Sequence, residues 1–305
     1  MPTNISPSES EGTKWMKLQL WVRQACENAG ITAGGDDPLL SDISPSDSEG
    51  VKWAKLQRWV ALLAENISGG DVPSATLADE ITTDAPTAYW QLTETGGNLA
   101  DSAGGGRTLT VTGSPVYAFC QLVRNSTSKG LKFVNGAYAS RASDNLGVTP
   151  PWTGSWSVEF VVMLPENLEE ELGCFAYGAC SLETEASNYQ IYASILPDRR
   201  PSLIWEYAKN VVFRPQTVLP IGFKAHIVWT KDAVNKIVKC FVNGICVYSS
   251  EYTQEPTGGS SSVIDVGRSS TGTTATGVLG HVAVYMGAVL SDARVMAHAV
   301  AAGVA

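Results

Sequence analysis

The chain has 305 residues, with 30 Asp and Glu against 21 Lys and Arg and a formal net charge of −9. Thirteen of the acidic residues and six of the basic ones lie in residues 1–84, so most of the negative excess is at the front. Nucleic-acid binding needs a basic face, and a membrane span needs about 20 apolar residues in a row. The composition therefore argues against both, and the lack of a basic, apolar leader predicts a soluble chain made in the cytoplasm without export.

The first elements along the chain are two copies of one segment. Residues 5–22 (ISPSESEGTKWMKLQLWV) return 38 residues later as residues 43–60 (ISPSDSEGVKWAKLQRWV), with 14 of the 18 aligned positions identical. Each copy combines a capping-box spacing with the apolar period of a helix, which predicts helical repeats over residues 5–29 and 43–67. Such short helices cannot bury their own apolar face, so the repeats predict an anchor that docks on another surface. The predicted anchor contacts are Trp15, Leu18, Trp21, Val22, Trp53, Leu56, Trp59 and Val60.

The composition divides the chain into three parts. Residues 1–70 are the predicted anchor, residues 71–86 are a polar, flexible linker, and residues 87–305 form the main domain. In the main domain, short apolar strands alternate with Gly-rich turns, a pattern typical of a mainly β sandwich or jelly roll. A short helix over residues 290–298, capped by Ser291 or Asp292, follows the last strand. The predicted strands are residues 89–92, 109–112, 131–134, 157–163, 189–192, 203–205, 225–229, 237–248 (a hairpin), 263–266 and 281–286.

The hairpin can be predicted in detail. Asn243 and Gly244 form the signature of a two-residue turn, which pairs residue 241 with 246 and residue 240 with 247. Cys240 and Cys246 then point to opposite faces of the sheet and stay unbonded. One face is expected to be the core; its members are Val238, Cys240, Val242, Ile245 and Val247.

Several segments, taken in this order, resemble the laminin G-like, or concanavalin A-like lectin, jelly roll over about residues 85–305. The segments that carry the resemblance are residues 88–92 (AYWQL), 99–104 (LADSAG), 156–160 (WSVEF), 241–245 (FVNGI), 280–285 (GHVAVY) and 290–293 (LSDA). The resemblance implies a concanavalin A-like sandwich, an architecture shared by lectins, glycosidases, protein-binding modules and virion components. The duplicated leader resembles the short capped helices that attach peripheral structural proteins to tailed-bacteriophage particles.

No catalytic residues are predicted. A glycosidase on this fold needs two carboxylates on one strand face, whereas Glu159 is alone on its strand and the Glu-rich residues 166–171 have the pattern of an exposed loop. The three histidines, at positions 226, 281 and 298, are scattered and are expected at a sheet face or the surface.

Binding residues are predicted from residue type and position. Exposed aromatic rings are the groups by which this fold would bind sugars. Asp101, in a turn, is a calcium candidate, but a side-chain-capped turn is the favoured interpretation because no second carboxylate is placed near it. The cysteines lack zinc spacing, so no other metal or cofactor is expected. The candidate sugar-binding residues are Trp152, Tyr177, Trp205, Tyr207 and Tyr248.

These patterns predict a non-enzymatic structural protein of a bacteriophage virion. Its N-terminal repeats would dock on other virion proteins or on copies of itself, and its lectin-like sandwich would be displayed, with surface glycans as a further candidate partner. The alternative is a carbohydrate-binding, lectin-like module of a bacterial protein. A glycoside hydrolase is the third reading, and it needs the carboxylate pair that the sequence does not supply.

Overall fold

The structure is a computed structural model that describes residues 75–304 and seven positions in the N-terminal repeats. The chain divides into two compact units, Met1–Ser74 and Ala75–Val304. Among the described residues, no helix combines the length and the apolar character needed to cross a membrane. Segments of the second unit outside the described residues are 124–128, 135, 143, 145, 148–152, 166–167, 180–187, 206–210, 256–262 and 269–275.

The seven described positions of the repeats are all α-helical, in agreement with the predicted helices at those positions. Leu56 is buried, Leu18 and Val22 are half-buried, and Leu20 is 58% exposed. The remaining predicted anchor contacts lie outside the described residues; they are Trp15, Trp21, Trp53, Trp59 and Val60.

The second unit is a sandwich of two antiparallel sheets, which confirms the predicted mainly β fold class. Within the described residues, sheet I has the strand order β13-β12-β11-β6-β15-β4-β3, with β1 paired to β15, and sheet II has the order β10-β9-β8-β7-β14-β5-β2. The strands are β1 Ala88–Trp90, β2 Thr110–Thr112, β3 Val116–Gln121, β4 Lys129–Phe133, β5 Tyr138–Arg141, β6 Trp156–Met163, β7 Leu172–Ala179, β8 Asn188–Ile195, β9 Pro201–Trp205, β10 Val211–Phe213, β11 Lys224–Asp232, β12 Ile237–Val242, β13 Ile245–Glu251, β14 Ile264–Val266 and β15 Gly277–Met286.

Strand β6 shows how the core is built. Val158, Phe160 and Val162 point into the space between the sheets, because alternate residues of a strand face opposite sides. Glu159 and Val161 point to the outer face of sheet I, where a second apolar cluster lies. Both faces of β6 are therefore buried, and the strand is apolar almost throughout its length.

Two helices cover the outer face of sheet I. Helix α1 (Leu77–Thr83) begins with a capping box between Thr76 and Asp79, and helix α2 (Asp292–Ala302) begins at the predicted cap Ser291. Both contribute apolar side chains to the outer cluster. The prediction of a flexible linker is wrong for residues 77–83, because Leu77 and Ile81 are fully buried there.

The predicted hairpin is present, with one correction. Asn243 and Gly244 both have positive φ, 52° and 81°, as a two-residue hairpin turn requires, and residue 241 pairs with 246 as predicted. A β-bulge between residues 240 and 241 then moves the partner of Cys240 from residue 247 to Tyr248. Val238, Cys240 and Val242 are buried as predicted, but Ile245 is exposed. Within the described residues, Cys120, Cys174, Cys240 and Cys246 are free thiols.

Candidate functional site

All three histidines of the chain lie between the outer face of sheet I and the helices that cover it. His226 is in β11, His281 in β15 and His298 in α2, and each is almost completely buried. The rings of His226 and His298 contact Glu159 of β6, which has no exposed surface, and the charge of Glu159 also acts on His281. The prediction of scattered histidines is therefore wrong: the topology gathers them around one carboxylate.

Glu159 accepts hydrogen bonds at both oxygens. Its Oε2 lies 2.7 Å from Nε2 of His226 and 3.0 Å from Nδ1 of His298, and its Oε1 accepts from the hydroxyl of Tyr285. Burial opposes ionisation of the Glu159 carboxyl, but the hydrogen bonds from the two histidines outweigh burial and hold the pKa well below its usual range. Burial and the Glu159 charge together raise the pKa of Tyr285 far above its usual value. Glu159 is therefore a buried anion with hydrogen-bond donors on both oxygens.

His298 bridges two carboxylates. Its Nδ1 faces Glu159, and its Nε2 lies 3.0 Å from Oδ2 of Asp84, the residue that follows α1. Burial disfavours the charged imidazolium, but the Glu159 hydrogen bond and the charges of Glu159 and Asp84 raise its pKa above the usual value. Arg294, one turn earlier in α2, binds Asp84 at 2.9 and 3.0 Å and Glu80 at 2.7 Å. This chain of contacts fastens α1 and α2 to the sheet.

His281 lies at a bulge in β15, where its φ of 52° places a non-glycine residue in the left-handed region. There its Nδ1 is 2.6 Å from the hydroxyl of Tyr89. Burial lowers the pKa of His281 to about 4, so its imidazole is neutral at physiological pH. The hairpin turn helps to position His226, because Asn243 Oδ1 accepts a hydrogen bond from the His226 backbone N–H at 2.9 Å.

The donor set of Glu159, His226 and His298 has the composition of a metal site, with ligand atoms within 4.8 Å of one another. Two ligands of tetrahedral zinc would lie about 3.3 Å apart, because each bond is about 2.0–2.1 Å long. Here Glu159 Oε2 is closer to both nitrogens, at hydrogen-bond distances. The three side chains therefore bind one another, and since none is exposed, no substrate atom can reach them. The arrangement supports packing of the helices rather than catalysis.

The structure corrects several predicted binding residues. Tyr177 and Trp205 are fully buried, with both rings in the core between the sheets, so neither can face a glycan. Tyr248 is half-buried and packs edge-on against Phe213 and Trp229, because the bulge in the hairpin turns it toward the core. Trp152 and Tyr207 lie outside the described residues.

Asp101 is a turn cap. Its Oδ1 accepts from the backbone N–H groups of Tyr89 and Ala103, and its Oδ2 accepts from that of Arg107. The Arg107 guanidinium lies 4.0 Å away, and it also binds Asp144. Donors and a cation already surround the carboxylate, so these contacts support the favoured interpretation and leave no geometry for calcium.

A second buried carboxylate, Asp265 of β14, lies on the outer face of sheet II. It pairs in register with Ser140 and with Ala176, whose side chain belongs to a small cluster on that face. Oδ2 is 3.5 Å from Arg268, whereas Oδ1 accepts no hydrogen bond from any described residue. Burial raises the pKa of Asp265 to about 6, with Arg268 opposing the rise.

Comparison with known proteins defines the class of the sandwich. No family model and no curated protein matches the sequence. Among solved structures, the chain is similar to domain 4 of AbnA, a GH43 extracellular arabinanase from Geobacillus stearothermophilus solved in complex with arabinotriose: the TM-score is 0.51, with 21% identity over 70% of this chain and 98% of that one. The chain is also similar to the binding domain of botulinum neurotoxin DC, solved with rat synaptotagmin II. The TM-score is 0.52, with 12% sequence identity over 71% of this chain and 51% of that one.

A botulinum neurotoxin type C structure, described as entering cells through two ganglioside molecules, gives a TM-score of 0.51 and 12% identity over 72% of this chain and 51% of that one. The chain thus spans about half the length of the toxin structures it resembles. At these identities the similarity establishes the fold alone: the second unit is a jelly-roll, lectin-like β-sandwich.

Proposed function

We propose that the chain is a non-enzymatic attachment protein of a bacteriophage virion, held by its N-terminal repeats and displaying a lectin-like binding module. The duplicated leader carries this proposal. Two segments with 14 of 18 positions identical are expected to bind two equivalent sites, or two sites on one repeated surface. Linking two weak contacts raises the overall affinity by making the second contact intramolecular.

The tryptophans would supply most of the binding energy. Each repeat has two, and a tryptophan buried at a well-packed interface can contribute roughly 2–4 kcal/mol. The helical positions described in the repeats support the pattern, with Leu18 and Val22 one turn apart and half-buried. The exposed Leu20 lies on a different side of the same helix.

The sandwich supports a binding role rather than a catalytic one. Among the described residues, the one ionisable cluster containing a strand carboxylate and histidines is sealed beneath α1 and α2. The similar solved structures include domains described with arabinotriose, a synaptotagmin and gangliosides. Both observations support a displayed module that binds a surface ligand without chemistry.

The double variant Trp15→Ala/Trp53→Ala tests the anchor. We expect it to keep the sandwich folded, with an unchanged unfolding temperature of the second unit, and to be lost from purified virions. Leu20→Ala is the matched control, because it removes an exposed apolar side chain from the same repeat and should be incorporated normally. Incorporation of the double variant at the wild-type level would refute the proposed anchor.

A carbohydrate-binding module of a bacterial protein is the second candidate. The observation in its favour is that this chain covers 98% of an arabinanase domain solved with arabinotriose. A glycan array probed with the full-length protein separates the two. Selective, saturable binding to one neutral glycan, together with absence of the protein from any particle, would favour the bacterial module.

A further inference from the structure

Two lysines share one row on the outer face of sheet I, and a third begins the same strand as one of them. The strand register runs in one row from Lys132 of β4 through β15 and β6 to Lys224 of β11, so both side chains leave the same face. Lys129 begins β4 and is exposed; because it alternates with Leu131 and Phe133 of the core, its side chain starts on the other side of the strand from Lys132. Burial raises the pKa of the Cys120 thiol, and the charges of all three lysines oppose that rise. All three ammonium groups therefore influence the same thiol. We call Lys129, Lys132 and Lys224 the lysine cluster.

The lysine cluster has no acidic partner among the residues that the structure describes. None of its members lies within ion-pair distance of a carboxylate in the described part of the chain, whereas Lys231, Lys236 and Lys239 all do. The second unit is itself acidic, with 20 Asp and Glu against 15 Lys and Arg. Lys132 and Lys224 on one face, with Lys129 at the start of β4 and no ion-paired carboxylate among the described residues, therefore give this end of the sheet a local positive potential that favours an anion.

An exposed aromatic ring completes the surface. Phe119, on the edge strand β3, is 41% exposed, and its ring centroid lies 4.5 Å from the Lys132 ammonium. Val116 of the same strand is 44% exposed and pairs in register with Lys132. An apolar ring beside a cation suits a ligand that combines an apolar face with a negative group.

We propose that the lysine cluster and Phe119 bind a carboxylated polysaccharide. The apolar face of one sugar would pack on the Phe119 ring, and the carboxylates of that sugar and its neighbours would bind the ammonium groups. Lys132 and Lys224 are three strand spacings apart, about 14 Å, which a few linked sugars can span. This assignment names the ligand class of the displayed module and rests on the proposed function.

The test uses the full-length protein and three immobilised probes: polygalacturonate, which is carboxylated, dextran, which is neutral, and a synthetic peptide of residues 31–50, which has five acidic residues and no basic one. We expect salt-sensitive binding to polygalacturonate alone. The variant Lys129→Gln/Lys132→Gln/Lys224→Gln should bind at least about tenfold more weakly. The matched control Arg214→Gln/Lys236→Gln/Lys239→Gln removes the same charge elsewhere and should keep most of the affinity.

Phe119→Ala should weaken binding severalfold while leaving its salt dependence unchanged, because it removes the ring and no charge. Equal losses in the lysine variant and the charge control would overturn the site, since binding would then follow net charge. Equal binding to dextran would overturn the role of the lysines. Binding of the acidic peptide in place of polygalacturonate would assign the surface to a protein segment instead. The lysine variant keeps the N-terminal repeats, so its incorporation into virions tests the anchor separately.

Discussion

The two sheets each bury one carboxylate on their outer face, and the two environments are opposite. Glu159 on sheet I accepts hydrogen bonds at both oxygens from His226, His298 and Tyr285, and its pKa is held low. Asp265 on sheet II has one contact at 3.5 Å from Arg268, and burial raises its pKa to about 6. Burial is similar in the two places, so the donors decide the outcome.

The comparison shows how the helices are held. A buried carboxylate with a complete set of donors requires those donors to stay in place, so Glu159 fixes α2 through His298 and, through Asp84, the end of α1. Asp265 imposes no such requirement. It is a carboxylate whose ionisation at neutral pH works against the folded state.

The largest effect is expected from Glu159→Ala. This change leaves two buried imidazoles and the Tyr285 hydroxyl without their acceptor, and breaking a buried ionic network typically costs about 3–5 kcal/mol. Urea unfolding of the full-length protein measures the loss. Glu251→Ala, on the exposed part of β13, should change the free energy of unfolding by less than about 0.5 kcal/mol. A Glu159→Ala loss no larger than that of the control would show that the network does not stabilise the fold.

A smaller effect of opposite sign is expected from Asp265→Asn. The folded-state pKa of about 6 lies above the ordinary aspartate value of 3.8. The contribution of Asp265 to stability is therefore present below about pH 4 and is lost as the pH rises through about 6. Removing the charge should raise the free energy of unfolding near pH 7.5 by roughly 2–3 kcal/mol, since one pKa unit corresponds to about 1.4 kcal/mol.

The same substitution should have almost no effect near pH 4, where the wild-type carboxyl is already protonated. Paired unfolding curves at the two pH values measure the difference, with Glu251→Gln as the exposed control. If Asp265→Asn destabilised the protein at pH 7.5 and not at pH 4, the charge would have a stabilising partner, and our assignment would be wrong.

The smallest effect concerns His298 and pH. The folded-state pKa of His298 is raised, so the stabilisation that His298 provides is present below the ordinary histidine value of 6.5 and is lost as the pH rises through the folded-state value. His298→Asn should flatten the alkaline decline of stability by about 1 kcal/mol, roughly the difference between a charged and a neutral hydrogen bond. Val300→Ala in the same helix should lower stability equally at every pH. An unchanged alkaline slope in His298→Asn would mean that another group titrates there.

Local patterns predicted the sandwich well. The Asn243–Gly244 turn, the cap Ser291 and the alternation along β6 each follow from a few adjacent residues. Five strands, β3, β5, β7, β10 and β13 beyond its bulge, were missed or misplaced in part because bulges and small residues break the two-residue period. The same bulge in the hairpin explains the wrong prediction for Tyr248.

The cluster around Glu159 could not be predicted in this way. His226 is 67 residues away in sequence and His298 is 139 residues away, so their meeting depends on strand order and helix placement. One signal was available: Glu159 and His226 each interrupt an otherwise apolar strand interior. A polar residue at the centre of a strand that is covered on both faces needs a hydrogen-bond partner. A sequence with two such residues therefore suggests that the two are partners.

Helices α1 and α2 begin and end the chain of the sandwich, and they lie side by side on one face. Tension entering at residue 75 is therefore received first by α1 and passes through the Arg294–Asp84 contact into α2, before it reaches β1. The hydrogen bonds between β1 and β15 would therefore bear the force only after the Arg294–Asp84 contact had broken. If the repeats hold the chain as proposed, a pulling force would break this ionic contact between the helices before it reached the hydrogen bonds of the sheets.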